Sequence, residues 1–173
     1  MKVNIEASGS LDDLDKRILA VLQDDASLTN QELAQRVFAS APTCLRRVRR
    51  LRKLGFITRI AAILAPEKVG NPLTAIVEVT LDVQSAERLE AFEAHVADEA
   101  AVTQCYRVSG GPDFVVIVLA RDMPGYHDLV RRLFNAGANV RNVRTFFSVH
   151  RSKFDVRAMA WSQADGEAQG GTR

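Results

Sequence analysis

Apolar positions recur at helical spacing along the first third of the chain, then switch between strand and helical spacing along the rest, which predicts two kinds of folded unit. Leu14, Ile18, Leu19 and Leu22 form one stripe that stops at Asp24-Asp25; Asp12 is placed to cap this helix, with Asp15 three residues on, where the helix dipole favours an acid. In "TNQELAQRV", Thr29 and Glu32 have capping-box spacing, and Leu33 and Val37 supply the stripe of a short second helix ending at Phe38-Ala39. Ser40 then caps a third helix, with Pro42 in its first turn, where a missing N–H does no harm, and Gly55 closing it. The segment "FITRIAAILAP" alternates weakly and reads as a short β-ribbon, a wing that Pro66 ends.

From Leu73 the period becomes two. Leu73, Ala75, Val77, Val79 and Leu81 alternate with Thr74, Ile76, Glu78 and Thr80, as in a half-buried strand. Leu89, Phe92 and Val96 mark a helix from about Ser85 to Asp98, and Val102 to Ser109 returns as a strand. The pattern then repeats: strand Phe114 to Ala120, a helix from Asp122 with Tyr126, Leu129, Val130 and Leu133 on one face, and strand Val140 to His150. Strand-helix-strand twice over predicts a ferredoxin-like βαββαβ sandwich. The expected fold class is therefore α+β: a winged helix-turn-helix at residues 1–66 with 1–10 flexible, a linker at 67–72, a ferredoxin-like domain at 73–161, and a disordered tail at 162–173.

Composition narrows the class. With 173 residues, 47% of them hydrophobic, the chain can bury real cores. Its longest strongly apolar run, Phe114 to Ala120, is far below the roughly 20 residues a membrane helix needs, and Met1 to Ser10 lacks the apolar centre of a signal peptide. A cytoplasmic protein without a membrane partner is expected. Cys44 and Cys105 belong to no CxxC or Cys/His cluster, so each is expected to be structural, and no metal or cofactor is expected.

Charge becomes informative once it is divided. Residues 1–66 carry 11 Lys and Arg against 7 Asp and Glu, whereas residues 67–173 carry 12 against 14. The excess is concentrated in "PTCLRRVRRLRKLGFITR", which holds seven cations and no acid. On the third helix Arg46, Arg49, Arg50 and Lys53 fall at i, i+3, i+4 and i+7, with Cys44, Leu45, Val48 and Leu51 on roughly the opposite side. A merely solvated helix usually interleaves Glu with Lys and gains pairing energy, and this one forgoes it. Polyphosphate is the natural counter-charge, and double-stranded DNA read by the third helix is the expected partner. Ala41, Thr43, Arg46 and Arg47, near the helix N-terminus, are candidates for base edges; Arg49, Arg50 and Lys53 suit phosphate, as do Thr58 or Arg59 on the wing.

Two features of the second unit bear on function. "FVVIVLA" is apolar on both faces, and helices on one side of a four-stranded sheet cover only one of them. A second copy packed sheet to sheet would cover the other; the polar tail "SQADGEAQGGTR" is a poor alternative, so a homodimer is expected. The segment "RVSGGPDF" has the composition of a turn, yet a glycine pair exposing N–H groups beside a carboxylate also suits the two ends of an amino acid.

Taken together, the chain resembles the Lrp/AsnC family of leucine- and asparagine-responsive transcription regulators from about Leu11 to Met159. "LDDLDKRIL" resembles the family's opening helix, "SAPTCLRRVRRLRKLGFI" its reading helix and wing entry, and "YRVSGGPDF" its strand, glycine turn and Asp-aromatic pair. The resemblance implies a DNA-binding regulator with a ligand-sensing domain, dimers that often assemble into octamers, and an amino acid or related metabolite bound between subunits. By position, Gly110 and Asp113 match the family's effector loop, with Tyr106, Val108, Gly111 and Phe114 beside them; Thr145 and Ser148 lie where the family completes the pocket from the opposite side. Gly111-Pro112 departs from the polar-aromatic pair common there. Two other functions fit the same fold: an effector-independent protein that wraps DNA, and an enzyme resembling siroheme decarboxylases. His95, His127 and His150 are scattered and form no catalytic constellation, so no enzyme is expected.

Overall fold

Three capped helices build the first unit of the chain, α1 (Asp13–Asp24), α2 (Asn30–Val37) and α3 (Ala41–Lys53). The computed structural model describes residues 11–134 and 139–158; the N-terminal segment 1–10 and the tail 162–173 lie outside the described residues. Each helix starts where its capping residue predicts. The Asp12 carboxylate accepts the Asp15 N–H at 2.8 Å and the Asp15 side chain reaches back to the Asp12 N–H, while Thr29 and Glu32 form the same reciprocal box. Ser40 Oγ accepts the Thr43 N–H of α3. Loss of such a cap costs about 1 kcal/mol.

The helices close over Ile18, Leu19, Leu33, Ala34, Val37, Cys44 and Leu51. Full burial of residues such as Ile18 and Leu51 is worth about 1.5–3 kcal/mol each. Cys44 is thus a core residue, and burial pushes its thiol pKa up. At the end of α2, Phe38 takes the left-handed conformation (φ 55°, ψ 50°), and the Ala39 N–H donates to Ala34 O at 3.0 Å. This is the helix-ending geometry that glycine usually supplies, and a residue with a Cβ holds it at a cost of about 1–2 kcal/mol.

The wing expected at 56–66 does not form as a ribbon. A ribbon needs two paired arms, whereas here the Phe56 and Ile57 N–H groups turn back onto Leu51 O, and residues 57–65 hold no strand. Ile60, Ile63 and Leu64 stay exposed. The expected linker opens with a 3-10 turn, Pro66–Val69, closed by Gly70 at φ 86°. The chain divides between Ala62 and Ile63, and residues 154–158 group with the first unit instead of the second. There Arg157 lies 2.9 Å from Asp24, at the α1 C-terminus where the helix dipole favours a cation.

In the second unit, β1 (Leu73–Leu81), α4 (Ala86–Ala97), β2 (Val102–Arg107), β3 (Phe114–Ala120), α5 (Met123–Leu133) and β4 (Val140–Phe147) form the βαββαβ sandwich. The sheet order is β2-β3-β1-β4 with antiparallel neighbours. Ala75, Val77, Val79 and Leu81 of β1 and Phe114, Val116, Val118 and Ala120 of β3 are buried in one cluster with Phe92 and Val96 of α4 and Tyr126, Leu129 and Leu133 of α5. Both helices therefore cover the same face. Val115, Ile117, Leu119 and Ile76, on the alternate positions, are not fully buried. Strand β4 ends sooner than its predicted limit of His150, because β1 begins at Leu73 and the Ser148 N–H, bonded to Thr74 O, is the last with a partner there.

Candidate nucleic-acid interface and effector loop

Helix α3 is fixed from both ends and from below. Its N-terminus is tied to α2 by the Asn30 side-chain amide, which donates to Ala41 O at 2.7 Å, and Ser40 Oγ donates to Thr43 Oγ1 at 2.8 Å. Cys44 and Leu51 anchor its inner face, and Gly55, at φ 79°, turns the chain away beyond Leu54. Arg46, Arg49, Arg52 and Lys53 are exposed, as is Arg59 beyond the helix. No carboxylate pairs with any of these five among the described residues. Ala41 and Thr43 are half-buried at the helix start, within the same N-terminal turn as the cap.

Arg47 and Arg50 depart from expectation. The Arg50 guanidinium donates to Asp15 Oδ2 at 2.7 Å, and Arg47 donates to both Asp15 oxygens at 3.2–3.3 Å and to Asp12. Asp15 itself has no exposed surface. Neither arginine is turned outward with the other cations; the pair ties α3 to the start of α1. The physical reason is angular: Arg47 lies about 60° around the helix from Cys44, at the edge of the buried face. The positioning acid was also legible, since Asp15, Ile18, Leu19 and Leu22 share one i, i+3, i+4, i+7 stripe, and a carboxylate on a buried stripe must find a cation. The Asp15 N–H, with Arg47 adding to it, holds the Asp12 carboxyl below the ordinary carboxylate range, and Asp12 and Asp15 raise the Arg47 guanidinium in turn.

The loop between β2 and β3 is a turn first. Gly110 adopts φ 82°, the Val108 N–H donates to Asp113 O at 3.0 Å, and the Asp113 N–H donates to Val79 O at 2.9 Å. The Asp113 carboxylate accepts the Leu81 N–H at 2.7 Å and the Gln84 amide at 3.3 Å, so it secures the end of β1. Gly111 is exposed beside Gly110. Phe114 is not a pocket wall: its ring is fully buried, 4.6 Å from that of Phe92. Tyr106 is exposed and donates to Gln104 Oε1 at 2.8 Å; the Thr145 hydroxyl bonds the Tyr126 hydroxyl beneath the sheet.

Tyr106 and Val108 stand at the β2 edge, whereas Thr145 and Ser148 stand on or beyond β4 at the other edge, three strand spacings or about 14 Å away. One chain does not bring these two groups together. His95, His127 and His150 are separate and exposed, and among the described residues no group of three or more His, Cys, Asp or Glu side chains is placed to hold a metal.

A helix held by caps and by ion pairs to the buried Asp15, with its outer side left cationic, defines a helix-turn-helix DNA-binding protein that carries a separate α+β domain. The comparisons agree: residues 11–58 match the winged helix-turn-helix DNA-binding family and residues 74–157 match the Lrp/AsnC ligand binding domain. Over 143 residues the chain is 41% identical to a leucine-responsive regulatory protein of Rhizobium meliloti, covering 83% of this chain and 92% of that one. It is 38% identical over 146 residues to an HTH-type transcriptional regulator of Haemophilus influenzae, covering 84% and 87% respectively. A Neisseria meningitidis transcriptional regulator, solved in complex with L-methionine, superposes with a TM-score of 0.79 at 31% identity, covering 85% of this chain and 95% of that one. The chain belongs to the Lrp/AsnC family of transcriptional regulators. It is a DNA-binding regulator whose second unit is the family's ligand-binding domain.

Proposed function

We infer that this regulator recognises a particular DNA sequence through the N-terminal half of α3 and adjusts its binding in response to an amino acid. Ala41, Thr43 and Arg46 meet base edges, while Arg49, Lys53 and Arg59, joined by Arg52, meet phosphates. The observation that carries this reading is the acid-free outer side of α3 around Arg46, Arg49 and Lys53, on a helix immobilised by Asn30 and Asp15. Pairing a cation with phosphate releases condensed counterions, and here no internal carboxylate competes for the cation.

The active form is a homodimer in the cytoplasm. The uncovered sheet face bearing Ile76, Val115, Ile117 and Leu119 supports self-association, because a two-fold pairing would bury it and present two reading helices to a pseudo-palindromic site. Pairing of copies would also supply from one chain the half of the effector site that another lacks. The effector is an amino acid held at the Gly110-Gly111 turn, with Asp113, Tyr106 and Val108 on one side and Thr145 and Ser148 on the other. Higher assemblies such as octamers are built from that dimer. The protein acts by binding and catalyses no reaction.

The test is a DNA-binding titration in the presence of each common amino acid, with mass in solution measured in parallel. A shift in midpoint or mass with one amino acid is expected. The engagement of the Asp113 carboxylate by Leu81 and Gln84 favours a second reading, an effector-independent protein that wraps DNA, and a titration flat for every amino acid would select it.

A further inference from the structure

Phe38 is poorly accommodated in the DNA-binding unit. It is 91% exposed and holds a left-handed backbone conformation that a bulky side chain adopts only at a cost. Either feature alone is ordinary, since single apolar residues are common on surfaces and helices often end left-handed. Their combination lacks an internal reason. The inward contact that normally accompanies this helix ending is supplied by the next residue, Ala39, which packs on the core of Ile18, Leu33 and Cys44. Phe38 gains no burial there, and glycine would hold the same turn without strain.

Its placement suggests what the ring meets. Phe38 precedes by two residues the Ser40 cap of α3, at the helix end from which a helix-turn-helix reads bases. The exposed residues flanking it in sequence, Gln35, Arg36 and Ser40, are polar or cationic, which is the surround of a phosphate-lined groove and unlike the contiguous apolar patch of a protein interface. Among the groups a duplex displays in its major groove, the thymine C5-methyl is the apolar one, and a phenyl ring is a suitable contact for it.

We propose that Phe38 is a specificity-determining residue that contacts a thymine methyl at the margin of the base set read by α3. The proposal rests on the reading of α3 as the recognition helix. It explains why an exposed ring is kept at a position that glycine would suit better: the strained turn aims the side chain outward, next to the groove, and association with DNA removes its surface from water.

The experiment uses the full-length protein and a duplex selected by it from a random pool. Each thymine is replaced singly by deoxyuridine, which removes only the methyl group, and affinities are measured for the parent, Phe38→Gly and Arg46→Ala. The parent is expected to lose about 3- to 10-fold at one or two positions flanking the central contacts, and Phe38→Gly to be indifferent there while melting no lower than the parent. Equal deoxyuridine profiles for parent and Phe38→Gly overturn the proposal, as does a parent indifferent at every position. A Phe38→Gly protein that binds DNA normally but changes mass in solution also overturns it, making the ring a protein contact. Failure of the underlying reading is separate: then Arg46→Ala binds the selected duplex as the parent does.

Discussion

Arg50 donates to the carboxylate of Asp15 at 2.7 Å, and Asp15 has no exposed surface, so a cation expected to meet DNA is held by an acid of the protein itself. With Arg47 beside it, the cluster joins the first turn of α1 to the middle of α3. Breaking it should be felt in the fold first. Asp15→Asn leaves two cations without their shared anion and is expected to cost about 2–3 kcal/mol, read as a lower midpoint in urea denaturation. Arg46→Ala, with no internal partner among the described residues, should leave that midpoint within about 0.5 kcal/mol and weaken DNA binding instead. Equal stability of Asp15→Asn and parent would contradict the structural role of the cluster.

The exposed cations should separate by salt dependence. Lys53→Ala is expected to weaken binding to all duplexes alike and, if each dimer loses two phosphate contacts, to reduce the slope of log K against log salt by about 1.8. Arg46→Ala should instead discriminate against the selected duplex more than against random DNA. Fluorescence anisotropy at four or five salt concentrations measures both, and identical slopes for Lys53→Ala and parent would remove Lys53 from the phosphate set.

Acid should destabilise the first unit through its caps. Asp12 is held below its ordinary value chiefly by the Asp15 N–H, and Glu32 by the Thr29 hydroxyl. A depressed folded-state value means the unfolded chain takes up protons first, so this stabilisation is complete above about pH 4 to 5 and is lost as pH falls through the lower folded values. Asp12→Asn keeps an N-cap but neither titrates nor attracts Arg47 as a charge, so its stability should vary less with pH between 5 and 3 than that of the parent. Thermal melts across that range provide the comparison.

Asp113 is a test of structure against sensing. Asp113→Ala strands the Leu81 N–H and is expected to destabilise the second unit by about 1–2 kcal/mol. Asp113→Asn retains a carbonyl to accept that bond, so its stability should stay near that of the parent, while the charge that would meet an ammonium group is gone. Loss of any amino-acid response in the stable Asn variant assigns the carboxylate to the effector; a retained response assigns it to the turn alone.

The open sheet face is tested by charge. Ile117→Asp places a carboxylate at the centre of the face opposite the helices, where it should leave the monomer folded but drive the mass measured by light scattering toward that of one chain. A mass unchanged from that of an oligomeric parent would move the interface elsewhere.

Local chemistry was legible wherever it is written within a few residues. Asp12, Thr29 and Ser40 cap α1, α2 and α3 as their side chains predict, and Ser85 and Asp122, expected only as the starts of α4 and α5, cap those helices too, because a cap is satisfied by the N–H groups two or three residues along the chain. Alternation along β1 likewise identified the face that α4 and α5 cover, since a strand's side-chain period is fixed by its backbone, whereas β3 is apolar on both faces and only packing decided which one the helices take. Only the tertiary structure decided which partners lie across the fold. It brought Asp15 beneath Arg47 and Arg50, 32 and 35 residues away, buried the ring of Phe114, left residues 58–65 without a strand to pair with, and set Tyr106 and Thr145 at opposite edges of one sheet. The reason is common to all four: hydrogen bonds, ion pairs and ring contacts fall off within a few ångströms, and distances between residues far apart in sequence are set by how whole helices and strands pack.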